Sequence, residues 1–267
     1  MSQIASQQNP RLKAVRRLHS KRERARTMTF LAEGEDLIVA AAEAGCPAVE
    51  GFRLAGSGLG GDDFFDVERS ALARASTLGS GTRVIGVYEQ RWGPAVGPLC
   101  VYLHGVRDPG NVGTVLRSAL AFGASCVAFG PDCADPYGPK AVRASMGAIF
   151  TVALARVNDI GELPGERVAL VADAKETLRG PSENVAGERA NALSDATDAL
   201  SGPTAYAVGA GVTLLVGAER DGLPDDVVAA CDRAARLPIA SESLNAAMAA
   251  TAALYEMTRR PSRVPAS

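Results

Sequence analysis

The sequence lacks the pattern of side chains that a zinc site needs. It has two histidines and five cysteines among its 267 residues, and no two cysteines form a C-x-x-C pair. Because structural zinc is held by closely spaced Cys and His ligands, the pattern indicates no metal site. An odd, dispersed set of cysteines instead indicates reduced thiols in a cytoplasmic protein. They are Cys46, Cys100, Cys126, Cys133 and Cys231.

Long apolar runs are absent as well. No window of about twenty apolar residues occurs, so we expect no membrane-spanning helix. No apolar run follows the basic N-terminal segment, so a secretory signal peptide is not expected. The hydrophobic content of 47% is nevertheless sufficient for a sizeable core, in one large domain or two smaller ones.

Charges of the two signs nearly balance overall, but positive charge is concentrated near the N-terminus. The formal net charge is −2, yet residues 11–26 carry eight basic side chains against Glu23 alone, a local charge of +7. A solvated basic helix would explain this segment, but such an asymmetry favours a polyanionic partner, most often nucleic acid. We take as candidate RNA contacts Arg11, Lys13, Arg16, Arg17, Arg22, Arg24 and Arg26.

The pattern of elements predicts two α/β regions. Residues 10–26 are predicted to form one helix opening with Pro10. Short strands and helices follow, so residues 1–93 are expected to form a small domain, and the Gly/Pro-containing residues 94–98 a linker.

Strands and helices then alternate from residue 99 to about 260, which is typical of a parallel sheet. A polar stretch near 174–211 is interpreted as a surface insertion without an assigned role. Strands are predicted at 99–105, 125–130, 168–173, 212–217 and 234–238, and helices at 112–122, 139–147, 224–230 and 243–258.

The segment GSGLGG, residues 56–61, matches the glycine spacing of a dinucleotide-binding loop. Such a loop needs a helix N-terminus directly after it to bind the pyrophosphate. Here Asp62 and Asp63 follow, and their carboxylates would repel a diphosphate. The sequence therefore predicts an ordinary loop, and a nucleotide-dependent oxidoreductase is disfavoured.

Three other segments each follow a predicted strand of the second region. They are DPGNVGTVLRSALAFG (108–123), VGAERDGL (216–223) and LPIASESLNAAMAATAALYE (237–256). Taken singly, each has a structural explanation, because Asn111 favours a turn, Gly217 a tight turn and Ser243 an N-cap. Together they fit a ligand site, since ligands bind at the carboxyl ends of parallel strands.

With DPYGPKAVRASMGAIF (135–150), these segments resemble the SpoU/TrmH family of RNA ribose 2′-O-methyltransferases, in the SPOUT superfamily. The N-terminal NPRLKAVRRLHSKRERARTMTFLAEGEDLIVAA is similar to the L30e-like RNA-binding extension of the rRNA-modifying branch. The arrangement is similar to the thiostrepton-resistance type of 23S rRNA methyltransferase and to general SpoU enzymes. The resemblance covers nearly the whole chain except the 174–211 stretch.

The resemblance implies a parallel SPOUT sheet ending in a deep trefoil knot, and a homodimer in which the helix predicted at 243–258 forms part of the interface. It also implies S-adenosylmethionine as the cofactor. The cofactor-binding positions that it implies are Gly217, Glu219, Leu237, Ile239, Ser243, Leu244 and Asn245.

The resemblance further assigns catalytic roles. In the family, the arginine at the position of Arg117 is proposed to assist deprotonation of the ribose hydroxyl, with an RNA phosphate as relay. Because arginine is normally always protonated, positioning the hydroxyl and stabilising the developing alkoxide is physically easier. A purely structural role is the alternative, in which Arg117 and Glu219 form a buried ion pair. The other implied roles fall on Asn111, Glu219, Ser243 and Asn245 in the site and on Arg143 at an RNA phosphate.

We therefore expect methylation of a ribose 2′-hydroxyl in RNA, with 23S rRNA as the substrate. A tRNA substrate is an alternative, although the small tRNA enzymes tend to lack a separate N-terminal RNA-binding domain. A non-catalytic RNA-binding assembly factor is the second alternative. The presence of both Asn111 and Arg117 favours the enzyme.

Overall fold

Short helices and strands alternate in the N-terminal third of the chain. The structure is a computed structural model that describes residues 3–78, 81–178, 211–240 and 244–259. The elements of this part are α1 Pro10–Arg17, α2 Lys21–Thr27, β1 Thr29–Glu33, α3 Glu35–Glu43, β2 Glu50–Leu54, β3 Phe65–Val67, α4 Arg69–Ala75 and β4 Val84–Glu89.

The basic segment forms two helices, so the prediction of one helix over residues 10–26 was wrong. The break at Leu18–Ser20 is stabilised by Arg24, whose guanidinium donates to the carbonyl oxygens of Leu18 (2.8 Å) and His19 (2.9 Å). Those carbonyls would otherwise accept hydrogen bonds from the next helical turn. The same guanidinium pairs with Asp135 at 2.7 Å.

The remaining elements follow the predicted alternation with small shifts at their ends. Three strands were not predicted, namely β3, Ala153–Arg156 (β7) and Glu176–Thr177 (β9), which have two to four residues and are too short for a clear periodic signal. The elements are β5 Leu99–Leu103, α5 Pro109–Ala121, β6 Cys126–Phe129, α6 Pro139–Ala144, β7 Ala153–Arg156, β8 Glu166–Leu170, β9 Glu176–Thr177, β10 Val212–Val216, α7 Asp225–Ala229, β11 Arg233–Arg236 and α8 Ala246–Thr258. Short 3-10 helices lie at Ala148–Phe150 and Ile160–Glu162.

The larger sheet has the strand order β7-β6-β5-β10-β8-β11-β9, and every neighbouring pair is parallel. The inner strand β5 is buried at all five positions, as expected for a parallel strand covered on both faces. The predicted α/β class with a parallel sheet is therefore confirmed. The smaller sheet has the order β1-β4-β2-β3, with β4 antiparallel to both neighbours.

Two units can be distinguished, and each has its own core. The first comprises residues 1–92, 107–117 and 134–152, with a core that includes Leu12, Leu31, Phe52, Leu72 and Ile85. The second comprises residues 93–106, 118–133 and 153–267, with a core that includes Cys100, Tyr102, Cys126, Ala169 and Leu215. Among the described residues, no helix is long and apolar enough to cross a membrane.

Candidate functional site

An open cavity of about 810 Å³ lies in the second unit, where β8, β10 and β11 end. These three strands are neighbours in the parallel sheet, so the loops that follow them meet at one edge. The volume of the cavity is within the range of small-molecule sites, roughly 300–1,000 Å³. The walls come from Leu170–Asp173 after β8, Val216–Leu223 after β10, Arg236–Ile239 after β11, and Leu244, Ala246 and Ala249.

The loop after β10 closes on itself through two glycines. Gly222 has a φ of +66°, in the left-handed region that favours glycine. A Cβ on Gly217 would lie 2.1 Å from the carbonyl carbon of Gly222, so no side chain fits there. Two backbone hydrogen bonds join Ala218 and Gly222, at 3.1 and 3.0 Å. This close approach explains the spacing G-x-E-x-x-G in chemical terms.

Asn245 connects this loop to the last helix. Its Oδ1 accepts from the backbone N–H groups of Ala247 (2.9 Å) and Met248 (3.4 Å), which caps α8. Its Nδ2 donates to Oε1 of Glu219 at 2.6 Å. The side-chain amide of Asn245 therefore accepts hydrogen bonds from the free backbone N–H groups at the start of α8. It also holds the carboxylate of Glu219, which lines the cavity.

The structure brings most of the predicted cofactor residues together. Five of them line the cavity, and Asn245 contacts the lining residue Glu219. Ser243 lies outside the described residues, as does most of the predicted insertion near 174–211. The five lining residues are Gly217, Glu219, Leu237, Ile239 and Leu244.

The lining suits a ligand with a flat apolar part and positive charge. Three carboxylates, those of Asp173, Glu219 and Asp221, and two guanidinium groups, those of Arg220 and Arg236, line the cavity together with apolar side chains such as Leu223 and Ile239. A sulfonium or ammonium group would be attracted to the carboxylates, and an adenine ring would pack on the apolar wall. The residues present therefore fit S-adenosylmethionine. Asp173 was missed, although its place at the end of a predicted strand was the available signal.

The first motif begins α5 in the first unit. Asp108 Oδ1 accepts from the N–H groups of Gly110 (2.6 Å) and Asn111 (3.1 Å), so Asp108 caps the helix that Pro109 opens. The Lys140 ammonium, 3.0 Å away, lowers the pKa of the Asp108 carboxyl, and these amides contribute to the same shift. The helix thus begins three residues before the predicted start at 112.

Gly113 permits α5 and α6 to approach closely within the first unit. A Cβ at this position would lie 2.4 Å from the carbonyl oxygen of Ala141 and 2.5 Å from Cβ of Ala144. The glycine of the motif therefore has a packing role.

The arginine of the first motif is solvent-accessible. Arg117 lies on α5 and is exposed, and Asn111 is half-buried in the first turn of the same helix. Glu219 is also exposed. The ion pair of Arg117 with Glu219 stays a prediction. An exposed guanidinium is available to a ligand.

The basic N-terminal helices keep most of their charge accessible. Arg24 is the exception, being 4% exposed and paired with Asp135, so its prediction as an RNA contact was wrong. A desolvated guanidinium with a partner cannot leave for a phosphate without a large penalty. Arg16 is half-buried, while Arg11 pairs with Glu50 and Arg26 with Glu23 at the surface. The exposed basic residues are Arg11, Lys13, Arg17, Lys21, Arg22 and Arg26.

The glycine-rich segment 56–61 is a loop that leads into β3 and precedes no helix. Arg53 Nη1 donates to the carbonyl oxygen of Gly61 at 3.1 Å, which attaches the loop to β2. The geometry of a dinucleotide site is therefore missing here. Within the described ranges, no group of three or more His, Cys, Asp or Glu side chains is arranged to hold a metal ion.

Two family models match the chain. The model described as the SpoU rRNA Methylase family matches residues 98–255, more than half of the chain. The model described as an MRM3-like substrate binding domain matches residues 9–86. The resemblance inferred from the sequence segments is thereby confirmed.

Individual relatives are similar over large parts of the chain. A 23S rRNA (guanosine(2553)-2′-O)-methyltransferase of Bacillus subtilis is 29% identical over 65% of this chain and 74% of its own. A 23S rRNA (uridine(2479)-2′-O)-methyltransferase of Streptomyces viridochromogenes is 36% identical over 57% of this chain and 50% of its own, so the match spans only half of that relative. The crystal structure of an AdoMet-bound rRNA methyltransferase from Sinorhizobium meliloti has a TM-score of 0.75, 28% identity and 96% coverage of both chains.

Proposed function

Because the chain belongs to the SpoU rRNA methylase family, we propose that it methylates a ribose 2′-hydroxyl of RNA with S-adenosylmethionine as the methyl donor. The substrate is 23S rRNA, the molecule named for both curated relatives described above. The observation that carries the proposal is the cavity at the ends of β8, β10 and β11, because it collects the cofactor positions implied by the family resemblance.

The residues of the second unit hold the cofactor. The Gly217–Gly222 turn presents backbone groups to the ligand without interposed side chains, and the Asn245 amide keeps the Glu219 carboxylate in a fixed position. When bound, S-adenosylmethionine would supply a methyl group from a positively charged sulfur, and the bond from that sulfur to the methyl carbon would break to leave the neutral thioether S-adenosylhomocysteine. The carboxylates of Asp173 and Glu219 favour that charge, since opposite charges attract strongly at a partly desolvated surface.

Arg117 acts on the other reactant, the ribose. As the hydroxyl oxygen forms its bond to the methyl carbon, it loses its proton and develops negative charge. The guanidinium of Arg117 orients this oxygen and stabilises the charge, while the proton leaves to an RNA phosphate or to water. Asn111, at the start of the same helix, helps to orient the substrate.

Methyl transfer to ribosomal RNA tests the proposal directly. Purified protein is incubated with labelled S-adenosylmethionine and rRNA from cells that lack this gene, and the modified nucleotide is located by digestion and mass spectrometry. We expect one 2′-O-methylated ribose in 23S rRNA. Methyl transfer to tRNA alone would support the proposed reaction but contradict 23S rRNA as the substrate. RNA binding without transfer would instead favour the assembly factor.

The N-terminal part binds the RNA in this proposal. We infer an L30e-like RNA-binding domain over residues 1–93, a linker at 94–98 and a SPOUT methyltransferase domain over 99–260 with a deep trefoil knot. The match to a substrate binding domain over residues 9–86 supports the first assignment. The described free cysteines fit a cytoplasmic location. A crystal structure of the full chain would test the knot.

Reversing the charge of two arginines on α2 is expected to weaken RNA binding and to make that binding less dependent on salt concentration. Arg22→Glu with Arg26→Glu removes two exposed cations, and each lost phosphate contact lowers the slope of log K against log salt by about 0.7–0.9. Fluorescence anisotropy with an rRNA fragment measures the slope. The matched control is Arg69→Glu with Arg74→Glu on α4, which changes the net charge equally. Equal slopes for the two variants would reject α2 as the contact.

We also propose a homodimer through the second unit. The end of α5 and α8 are joined by the hydrogen bond of Ser118 and Thr251, at 2.6 Å. Leu120, Met248 and Tyr255 on these helices are 43%, 60% and 57% exposed. Exposed apolar side chains in one region are typical of an interface.

Sedimentation velocity at micromolar concentration should show a dimer. Arg substitutions at Met248 and Tyr255 should convert it to a monomer, because charge is poorly tolerated in the core of an interface. A monomeric wild-type protein would contradict the proposal.

A further inference from the structure

The carboxylate of Glu33 is buried and has no role in the chemistry described above. Glu33 ends β1 and is 5% exposed. It accepts hydrogen bonds from the Ser76 hydroxyl, from the backbone N–H of Thr77 at 3.1 Å and from the Thr77 hydroxyl at 2.5 Å. A buried carboxylate needs such donors to replace its lost hydration. The two residues that follow α4 supply them.

The Thr77 hydroxyl connects Glu33 to an arginine. Nη1 of Arg143 donates to Thr77 Oγ1 at 2.9 Å. A hydroxyl has one proton, and an ionised carboxylate can only accept. The proton of Thr77 therefore points to Glu33, and a lone pair points to Arg143. The three side chains form a hydrogen-bonded series in which Arg143 donates to Thr77 and Thr77 donates to Glu33.

This series orients the guanidinium of Arg143 without pairing it directly with a carboxylate. A guanidinium has five N–H groups, and among the described residues Arg143 uses only the bond to Thr77. A direct ion pair with Glu33 would occupy the planar fork that binds phosphate oxygens. Because the Thr77 hydroxyl lies between the two charged groups, the guanidinium of Arg143 is held in place, and its other N–H groups stay available to a ligand.

The surroundings of Arg143 leave room for a ligand. Arg143 lines an open cavity of about 430 Å³ beside the start of α3. The two further carboxylates of this cavity, Glu35 and Asp36, are exposed to solvent, and Glu35 pairs with Arg83 at 2.8 Å. They therefore compete little for the guanidinium.

We propose that Glu33 and Thr77 are positioning residues that hold Arg143 in place for a phosphate of the RNA substrate. The inference rests on the proposed function and on the family resemblance, which implies that Arg143 contacts an RNA phosphate. A side chain that is ordered before binding loses less conformational entropy on contact. The series thus raises RNA affinity through Arg143, although neither Glu33 nor Thr77 touches the RNA.

Thr77→Val tests the series, because valine keeps the shape of threonine and removes the hydroxyl. We expect KM for RNA to rise about threefold to tenfold with kcat unchanged, as for the loss of one hydrogen bond. Thr77→Ser should restore the wild-type KM. Ser76→Ala is the control at the neighbouring residue, since it removes another hydrogen bond to the same carboxylate, together with the contacts of Ser76 Oγ to Thr82 and Leu78, and leaves Arg143 attached.

A double variant shows whether Thr77 acts through Arg143. In an Arg143→Ala background, Thr77→Val should have no further effect on KM or on RNA affinity measured by fluorescence anisotropy. Additive effects would overturn the inference, as would an unchanged KM in Thr77→Val or an equal loss in Ser76→Ala. If wild-type protein transfers no methyl group, the proposed function fails, and the anisotropy measurements still decide the role of the series.

Discussion

Arg117→Ala is expected to lower kcat for methyl transfer about 10²- to 10³-fold, the usual effect of removing a group that stabilises developing negative charge. The side chain is exposed on α5, so its loss leaves no cavity and should not change the melting temperature measurably. Binding of S-adenosylmethionine should also be retained, since the residues that line the candidate cofactor cavity lie elsewhere in the chain. Single-turnover kinetics measures the first effect, and calorimetric titration measures the second.

Two further variants make the result interpretable. Arg117→Lys keeps the charge but replaces the planar fork with a point charge, so it should recover only part of the activity. Arg74→Ala, at an exposed arginine on α4, should leave kcat unchanged. Full activity in Arg117→Ala would remove Arg117 from the mechanism. Loss of folding would give it a structural role instead.

Asn245→Asp is expected to lower the affinity for S-adenosylmethionine about tenfold or more. Aspartate caps a helix as well as asparagine does, so α8 should keep its start. The Nδ2 donor is lost, however, and a second carboxylate faces Glu219 across a contact that is now 2.6 Å. Losing a hydrogen bond to a charged group costs about 1.5–3 kcal/mol, and like-charge repulsion adds to that cost. Calorimetric titration measures the affinity.

The pH dependence of this variant has a defined sign. Two carboxylates in contact raise the pKa of one of them, so lowering the pH protonates one group and restores a hydrogen bond. The affinity deficit of Asn245→Asp should therefore shrink as the pH falls. Adding Glu219→Gln reverses donor and acceptor, so it should recover the part of the affinity at neutral pH that depends on this hydrogen bond. A deficit unchanged by either would show that the contact does not affect cofactor binding.

Asn245→Ala separates the two roles of the amide. It removes both the cap and the donor, so unfolding should become easier by about 1 kcal/mol, whereas Asn245→Asp should retain most of the stability. Thermal unfolding followed by circular dichroism distinguishes the two variants. Equal destabilisation would mean that the contact with Glu219, and not the cap, supports α8.

Much of the candidate site was accessible from local sequence because its residues belong to short motifs. The G-x-E-x-x-G spacing reflects a turn within six residues, and DPGN reflects a capped helix start, so neighbours along the chain determine both. Asp173 has no such local motif and lines the cavity only because β8 ends beside β10. The basic segment was misjudged as one helix because periodicity does not show that Arg24 donates to the carbonyl oxygens of Leu18 and His19, in a position that it shares with an ion pair to Asp135, 111 residues away.

The sequence alone determined the family, the α/β alternation with a parallel sheet, and the assignment of the glycine-rich segment 56–61 to a loop. These properties depend on periodicity and on side chains close along the chain. Only the tertiary structure decided which charges are buried, that Asn245 binds Glu219, and that Glu33 holds Arg143 through Thr77. Such contacts join residues far apart in the chain, and their geometry exists only once the sheets and helices have packed together.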